Sequence, residues 1–356
     1  MKYYKDVLNL EPYPGQKEKN KIFNKFFYKL NNHHKKNCAN YKKFIKYFSQ
    51  NSNFKNEHIS SYPFLHVNIF KDLELKSIKD NKVYKVMQSS GTSNQKLSKI
   101  FLDKENARIQ SKILQKVSSK FLNKNRLPML IIDSPDILEV KNKFSARSAA
   151  IIGFSIFAKK IFFAFKKDGS IDYNQIRNFL NYKKNNHGYL FGFTFLVWQS
   201  FFKKIQFDKR KINFNNCQLI HGGGWKKVKD QNISTKKFNF SLKKFFNLEH
   251  ITNYYGMIEQ TGSIFFECAK CNCFVTHAYS DIFIRNEKLE IAKNGKIGLV
   301  QLVSLLPTSY PGHNILTEDI GEIIENQKSC SCYLFGKRFK IYGRAKFSEL
   351  RGCSDV

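Results

Sequence analysis

A short run of apolar residues, Met129 to Ile132, follows an amphipathic helical pattern and constrains the fold more than any other feature. A continuous run of this length is typical of a strand buried on both faces. The apolar residues of the preceding helix recur every four positions, at Ile109, Ile113, Val117 and Phe121. Asp103 stands where the N-cap of that helix belongs. Because the strand-like segment KVYKVMQ (82–88) and a polar loop come first, the order strand, loop, helix, strand predicts an α/β fold.

The same alternation continues toward the C-terminus. The segment QLI (218–220) enters the glycine-rich HGGG, an amphipathic stretch follows through Phe245, and HITNYYG (250–256) reads as the next strand. Beyond Gly262, the segments KLEIA and KIGLVQL flank Asn294-Gly295, a strong hairpin signal. We therefore expect a large α/β domain with mixed sheets and a β-rich subdomain.

Three parts of the chain are expected to differ in character. Residues 1–80 are polar, rich in Lys and Asn, and predicted to form short helices packed on the core. Residues 81–345 carry the strand and loop pattern and are predicted to be the main core. Residues 346–356 are predicted to be a mobile C-terminal tail.

The charge of the chain is strongly positive, with 61 Lys and Arg against 28 Asp and Glu and a formal net charge of +33. Lysine doublets are spread along the sequence rather than concentrated on one element, which favours a solvated surface over specific nucleic-acid binding. A lysine-rich surface still attracts polyanions, so a polyanion-binding protein is the non-enzyme alternative.

The apolar segments indicate where the protein resides. The N-terminus lacks the apolar stretch of a signal peptide, and the most apolar windows fall short of the ~20 residues that cross a bilayer. We therefore expect a cytoplasmic protein with no membrane span. Its eight cysteines should then be mostly thiols or metal ligands.

Two loops carry residues suited to phosphate and metal binding. The first, QSSGTSNQK (88–96), places hydroxyls and a glycine after a strand, where backbone N–H groups can surround phosphate oxygens. An ordinary Ser/Gly turn is the alternative. The second, YYGMIEQTG (254–262), places Glu259 just past a strand, where a carboxylate could hold a divalent cation. A surface glutamate at a helix start is the alternative there.

Taken in order, these loops resemble the motifs of a known superfamily. SSGTS, the glycine-rich strand end, YGMIE, TED (317–319) and GR (343–344) resemble the adenylate-forming enzymes. HGGGWKK (221–227), YGMIEQTGS (255–263), LFGFTFLVW (190–198) and GRAKFSELRGCSD (343–355) resemble one branch, the LuxE-type acyl-protein synthetases, related to the phenylacetate-CoA ligases. The resemblance covers roughly residues 83–356. It implies ATP-dependent, Mg²⁺-assisted activation of a carboxylic acid, in this branch a fatty acid, to an acyl adenylate.

The resemblance also assigns residues to the nucleotide. The loop that would hold the β and γ phosphates consists of Ser89, Ser90, Gly91, Thr92 and Ser93. The family's usual Thr-Gly-x-Pro-Lys is replaced here by residues 93–96, so either Lys96 or Lys99 would meet the phosphates. The remaining implied contacts are Gly222, Gly223 and Gly224 with adenine, Tyr255 and Gly256 beside the nucleotide and acyl carbonyl, Glu259 with Mg²⁺, Asp319 with the ribose hydroxyls, and Arg344 with ribose or phosphate.

A second departure from the superfamily concerns the acyl acceptor. In the wider superfamily the Gly-Arg segment is a hinge to a small mobile C-terminal domain, whereas this sequence continues for only about a dozen residues beyond Gly343. We therefore expect that domain to be lacking. The resemblance then implies that Cys353, beside Arg351, accepts the acyl group as a thioester and delivers it to an acyl reductase. An inert thiol is one alternative, and a ligase that supplies acyl groups to coenzyme A or a carrier for polysaccharide or lipid assembly is another.

Five further cysteines form two tight clusters with His277 between them. They are Cys268, Cys271, Cys273, Cys330 and Cys332. Four thiolates make a tetrahedral Zn²⁺ site, so a structural zinc held by four of the five is expected, with free thiols as the alternative.

Two apolar stretches, residues 144–157 and 190–198, are candidates for the wall of an acyl-binding site. Gly153, Gly188 and Gly192 would leave gaps among bulky neighbours, as a lipid tunnel requires. Core packing is the more frequent role of such stretches, and both interpretations stay open.

Overall fold

The computed structural model describes residues 2–51, 58–89, 96–123, 125–139, 145–224, 233–324, 330–332 and 334–345. The helices of this part are α1 (Lys2–Leu8), α2 (Gln16–Asn37), α3 (Ala39–Asn51), α4 (Ile69–Asp72), α5 (Lys104–Ser118), α6 (Ala146–Phe154), α7 (Tyr173–Lys183), α8 (Lys203–Phe207) and α9 (Thr235–Phe246). The strands are β1 (Leu65–His66), β2 (Lys85–Gln88), β3 (Lys99–Leu102), β4 (Leu127–Ile131), β5 (Ala158–Phe163), β6 (Gly188–Phe193), β7 (Cys217–Gly222), β8 (His250–Tyr255), β9 (Phe265–Cys268), β10 (Cys273–Val275), β11 (Ser280–Arg285), β12 (Ile297–Ser304), β13 (Asn314–Ile323) and β14 (Arg338–Arg344). Within these residues, no helix has both the length and the apolar character that crossing a membrane requires.

The chain forms two compact units. The first contains described residues from 1–89, 95–118 and 256–349, and the second contains described residues from 119–255. Residues 1–80 therefore belong to the same unit as the C-terminal strands. The division into residues 1–80, 81–345 and 346–356 stays a prediction, and the last of these segments lies outside the described residues.

A five-stranded parallel sheet, in the order β5-β4-β6-β7-β8, forms the centre of the second unit. β4 contains the apolar run that predicted a buried strand, and Met129, Leu130 and Ile131 are fully buried there. Phe179 of α7 and Phe246 of α9 belong to the large apolar core of this unit. The predicted α/β architecture is confirmed, as are the strands around 218–220 and 250–255 and the helix between them.

A mixed sheet forms the centre of the first unit. Its strands lie in the order β11-β12-β13-β14-β10-β9, with antiparallel neighbours, and β1 pairs in parallel with β13. The predicted β-rich part beyond residue 262 is therefore confirmed.

Helix α5 begins where the sequence predicted its cap. The Asp103 carboxylate accepts a hydrogen bond from the backbone N–H of Asn106 at 2.7 Å. The residues of its predicted apolar face that are fully buried are Ile109, Ile113 and Val117. The helix ends at Ser118, so Phe121, predicted on the same face, lies beyond it.

The place of KVYKVMQ before a helix and a strand implied a strand of the parallel sheet, but the segment does not belong to that sheet. Its residues 85–88 form β2, which pairs antiparallel with β3 in a hairpin of the first unit. Lys85 lies opposite Leu102, and Gln88 lies opposite Lys99. β3 was not predicted from the sequence, because four residues are too few to show a period of two residues.

The hairpin around Asn294-Gly295 has a different first strand from the one predicted. β12 pairs with β11, and KLEIA lies in the connection between these two strands. The Asn286 side chain accepts hydrogen bonds from the backbone N–H groups of Lys288 and Glu290 at 3.0 and 2.9 Å. These bonds fold the start of the segment as a turn instead of a strand.

Helix α2 spans 22 residues and is longer than the short helices predicted for this region. Its Lys19 is buried, with the ammonium group 3.4 Å from the Asp281 carboxylate. The same ammonium donates to the Ser280 carbonyl at 2.9 Å and to the Thr276 hydroxyl at 3.1 Å. A buried ion pair thus fastens α2 to the strands of the first unit.

Candidate functional site

Glu259 lies in a 3₁₀ turn, Ile258–Gln260, of the first unit, and its side chain is buried. The Tyr310 hydroxyl donates to the Glu259 backbone carbonyl at 2.9 Å. The backbone at Gly312 approaches so closely that a Cβ there would lie 2.6 Å from that carbonyl. The Gln260 side chain donates to the Gly312 carbonyl at 2.9 Å. These contacts fix the turn and hold the carboxylate in place.

The surroundings of Glu259 disfavour its negative charge. Burial raises the pKa of its carboxyl, and the charge of Asp319 acts in the same direction. The Ser98 side chain and the Arg344 guanidinium partly oppose this shift. A divalent cation would stabilise the charged carboxylate that burial penalises, so the residue fits a Mg²⁺ ligand.

Ser89, the first residue of the predicted phosphate loop, is held beside Ser98. Its N–H donates to the Ser98 carbonyl at 3.1 Å, and its hydroxyl accepts from the Ser98 N–H at 2.9 Å. The Ser98 hydroxyl has no hydrogen-bond partner among the described residues, but the Ser98 side chain lowers the pKa of the Glu259 carboxyl, so the start of the loop lies near Glu259. The loop residues that lie outside the described part are Ser90, Gly91, Thr92 and Ser93.

Both candidate phosphate lysines pair with carboxylates of the first unit. The Lys96 ammonium lies 3.2 Å from Asp72, and the Lys99 ammonium lies 3.3 Å from Glu74. Exposed pairs of this kind contribute little free energy, so either ammonium could exchange its carboxylate for a phosphate.

Asp319 and Arg344 lie opposite each other on β13 and β14. The Arg344 Nε is 3.8 Å from the Asp319 carboxylate, and its Nη1 is 3.5 Å from the Glu318 carboxylate. The backbone N–H of Asp319 donates to the Thr317 hydroxyl at 3.0 Å. The antiparallel register therefore joins the motifs at 317–319 and 343–344, and both charged groups act on Glu259.

In the second unit, β7 ends in the glycines predicted to face adenine. Gly223 and Gly224 have φ values of +86° and +66°, which favour glycine. A Cβ at Gly222 would lie 2.6 Å from the Tyr254 ring, and one at Gly223 would lie 2.6 Å from the Phe193 ring. Among described residues, nothing lies within 4 Å of a Cβ at Gly224. Two glycines thus allow close packing, and the third faces open space.

Tyr255 and Gly256, the predicted neighbours of the nucleotide and acyl carbonyl, are placed in different units. Tyr255 ends β8 of the second unit and is half-buried. The adjacent Tyr254 is buried and stacks on Phe191, with ring centroids 6.2 Å apart. Gly256 belongs to the first unit, where a Cβ would lie 2.8 Å from the Ile264 side chain.

The sequence analysis gave no role to His221, which precedes the glycines and is buried. The Thr194 hydroxyl donates to the Gly222 carbonyl at 2.9 Å, so His221 Nδ1, also 2.9 Å from that hydroxyl, must donate to it. Burial lowers the pKa of His221 to about 3. Its Nε2 is thus an acceptor, and it has no hydrogen-bond partner among the described residues. In the sequence, His221 could have been recognised by its position at the end of an apolar strand.

A buried ion pair that the sequence analysis also missed follows β4. Arg147 of α6 donates from Nε and Nη2 to the two Asp133 carboxylate oxygens at 2.6 and 2.5 Å. Asp133 and His221 both lie at the carboxyl ends of parallel strands, where α/β sheets bind their ligands.

The apolar stretch 190–198 lies in the core of the second unit. Three residues of this stretch belong to the main apolar cluster, namely Leu190, Val197 and Trp198. A Cβ at Gly188 would lie 3.0 Å from the Phe179 ring, and one at Gly192 would lie 2.9 Å from Ile132. Neighbouring side chains occupy the space beside these glycines, which favours core packing over a tunnel at these positions.

The predicted metal-binding cysteines are partly brought together. Cys268, Cys271 and Cys330 have sulfur atoms within 4.8 Å of one another. His277 is buried elsewhere in the first unit, with its Nε2 3.0 Å from the Ile264 carbonyl. Cys353, the predicted acyl acceptor, lies outside the described residues.

Comparisons with known proteins agree with the sequence motifs. The sequence profile of the family described as acyl-protein synthetase, LuxE, matches residues 5–356. A long-chain-fatty-acid–luciferin-component ligase of Vibrio harveyi is 28% identical over 139 residues, which are 38% of this chain and 35% of that protein. The match therefore spans about a third of the length of this curated relative.

Two solved structures of a 2-hydroxyisobutyryl-CoA ligase share the fold. An open conformation in complex with 2-HIB-AMP and CoA has a TM-score of 0.72 and 10% identity, over 94% of this chain and 71% of that chain. A postadenylation state in complex with 2-HIB-AMP has a TM-score of 0.73 and 10% identity, over 94% of this chain and 69% of that chain. At this identity the likeness shows the fold alone.

Proposed function

Because the chain belongs to the LuxE family of acyl-protein synthetases, we propose that it activates a fatty acid with ATP and loads the acyl group onto its own thiol. One observation supports the proposal: Asp319, Arg344 and Ser98 all influence the pKa of the buried Glu259 carboxyl, and Ser98 is hydrogen-bonded to Ser89. The fold class, that of adenylate-forming enzymes, agrees with this activity.

The first step converts a poor acyl donor into a good one. A carboxylate oxygen of the acid attacks the α-phosphorus of ATP, the bond to the β-phosphate oxygen breaks, and pyrophosphate leaves. The product is an acyl adenylate, whose leaving group is AMP. Mg²⁺, held by Glu259, would offset the charge that develops on the pyrophosphate. Hydroxyls and N–H groups of the loop that starts at Ser89 would bind the phosphates.

The charged pair on β13 and β14 is suited to the sugar. The Asp319 carboxylate can accept hydrogen bonds from two ribose hydroxyls, while Arg344 donates to ribose or phosphate. Their interaction with Glu259 would keep sugar and metal in a fixed relation. In the second unit, Gly224, whose Cβ position meets no described atom within 4 Å, would lie against adenine.

The second step moves the acyl group to sulfur. The thiolate of Cys353 attacks the acyl carbon, AMP leaves, and the thiol proton passes to solvent or a base. Support comes from the sequence: the family match includes Cys353, which stands nine positions after Arg344. Nine extended residues reach about 30 Å. Arg351 would favour the thiolate.

The substrate and the partner follow from the same chemistry. The Vibrio harveyi relative is named for long-chain fatty acids, which supports a fatty acid as the substrate here. A protein-bound thioester is an activated acyl group, and an acyl reductase is a partner that could consume it. Both assignments are part of the proposal.

Acid-dependent exchange of labelled pyrophosphate into ATP, measured with acids of different chain lengths, tests the first step. Long-chain acids should support exchange, and Glu259→Gln should lower it by about 100-fold or more while the fold is retained. Glu287→Gln, an exposed control, should exchange normally. A protein that only binds polyanions would show no exchange with any acid, which would contradict the proposal.

The second step is tested by the fate of a radiolabelled acyl group. Cys353→Ser should keep pyrophosphate exchange but lose the hydroxylamine-sensitive label on the protein. Cys38→Ser, which removes another thiol, should keep both. If Cys353→Ser retains the label, Cys353 is not the acceptor. Formation of acyl-CoA without labelled protein would instead favour the acid:CoA ligase.

A further inference from the structure

A cluster of thiols lies where the β9–β10 hairpin meets the segment before β14. Cys268 ends β9, Cys271 stands in the turn, and Cys330 comes from the other segment. The three sulfur atoms lie within 4.8 Å of one another, and those of Cys268 and Cys330 are 3.8 Å apart. Zinc–sulfur bonds of about 2.3 Å at tetrahedral angles place sulfur atoms about 3.8 Å apart. The Cys268–Cys330 separation matches this spacing, and the three sulfur atoms are close enough to share one ion.

The fourth candidate ligand is Cys332, whose sulfur lies outside the group of three within 4.8 Å. Its thiol interacts with the thiols of Cys268 and Cys330. Cys273 points elsewhere: its thiol donates to the Cys271 backbone carbonyl at 3.3 Å. The sulfur distances thus select three of the five cysteines that the sequence left in competition, and Cys332, which contacts Arg338, is the fourth candidate.

The buried charge of Arg338 also favours a negatively charged group of thiolates beside it. This side chain is buried, and its Nη2 donates to the Cys332 sulfur at 3.3 Å and to the Leu334 carbonyl at 3.1 Å. No carboxylate pairs with it among the residues that the structure describes. A buried cation without an acidic partner is costly. Four thiolates around Zn²⁺ carry a net charge of −2, which would supply the missing negative charge.

We propose that Cys268, Cys271, Cys330 and Cys332 bind one zinc ion, with Arg338 balancing part of the charge. Binding replaces the four thiol protons, which pass to solvent, and no oxidant is involved. The ion joins the β9–β10 hairpin to the segment that leads into β14, the strand that carries Arg344 at its far end. Its role is structural, because four protein ligands leave no open position for a substrate.

The metal content of the full-length chain, purified without a histidine tag from zinc-supplemented cells, is the primary test. Elemental analysis should find about one zinc per chain, and a mercurial reagent should release it. In the native protein, alkylation followed by peptide mapping should spare these four cysteines until the metal is removed. Folded, metal-free protein whose thiols all react without such treatment would overturn the proposal.

Variants test the choice of ligands. Cys332→Ser should lose most of the zinc, whereas Cys273→Ser and Cys38→Ser should keep it. Cobalt-exchanged wild-type protein should show the visible absorption of tetrahedral thiolate Co²⁺. If Cys332→Ser fails to fold, the alkylation map of the wild-type protein still decides, because a reactive Cys332 beside a protected Cys273 would refute the ligand set.

Discussion

Gly222 shows how one missing side chain shapes the second unit. Its position lets the strand end run against Tyr254, whose ring is in turn held by Phe154 and Phe191. Three ring atoms would lie within 2.9 Å of a Cβ at this position. Gly222→Ala should therefore destabilise the second unit by about 1–3 kcal/mol, since the ring cannot move without disturbing its neighbours.

Urea denaturation followed by tryptophan fluorescence measures this loss. Gly224→Ala is the matched comparison, because its Cβ meets no described atom within 4 Å and only backbone strain remains. An equal or smaller loss in Gly222→Ala than in Gly224→Ala would show that the ring is not the obstacle.

Some residues of the candidate site were named from the sequence and others were not. Glu259, Asp319 and Arg344 were named because each lies in a motif that resembles those of a known family, and their roles stay predictions. His221 and Asp133 were not, because their significance depends on burial and on partners, Thr194 and Arg147, that are distant in sequence. The choice among five cysteines also required the distances between their sulfur atoms.

Helix α2 depends on a charge pair that its own sequence does not reveal. Burial lowers the pKa of Lys19 to about 8, while Asp281 partly restores it. Asp281→Asn leaves the ammonium buried without its counter-charge, which should cost about 3 kcal/mol at pH 7. The loss should shrink above pH 8, because Lys19 is then increasingly neutral and no longer needs the carboxylate.

Urea midpoints at pH 7 and pH 9 measure this difference. Asp80→Asn, which removes the exposed partner of Lys76, should change the midpoint little at either pH. An Asp281→Asn loss that is constant between the two pH values would contradict the role assigned to Lys19.

Strand existence was easier to predict than strand pairing. Apolar runs identified β4, β7 and β8 because a parallel sheet buries both faces of its strands. The partners of β2 and β12 could not be predicted, since pairing is decided by tertiary contacts and by turns such as the one at Asn286. Local periodicity carries no information on those contacts.

Buried histidines make the stability of each unit depend on pH. Burial lowers the pKa values of His221, His277 and His313 to about 3, and lowers that of His34 well below its usual range. In the unfolded chain each has a pKa of about 6.5. Between pH 6.5 and pH 3 the unfolded state therefore binds more protons, so stability falls with acidification by about 1.4 kcal/mol per pH unit for each titrating histidine.

The first unit contains three of these residues and the second contains only His221. Acid should therefore weaken the first unit more steeply. Circular dichroism, which reports on both units, should lose amplitude at a higher pH than the fluorescence of Trp198 in the second unit. His277→Gln should reduce the pH slope, and His250→Asn, at an exposed site, should leave it unchanged. Coincident transitions in the wild-type protein would contradict this expectation.

The two hydrogen bonds between Ser89 and Ser98 have a consequence for how such a protein can diverge. They join the two ends of the predicted phosphate loop through main-chain groups and one hydroxyl, so the β2–β3 hairpin does not depend on the side chains of the intervening residues. Residues inside the loop can therefore be substituted during evolution while the hairpin is kept. The departure at residues 93–96 from the usual family pattern is a change that the β2–β3 hairpin can tolerate. A relative's loop could be grafted between Ser89 and Ser98 without redesigning the hairpin.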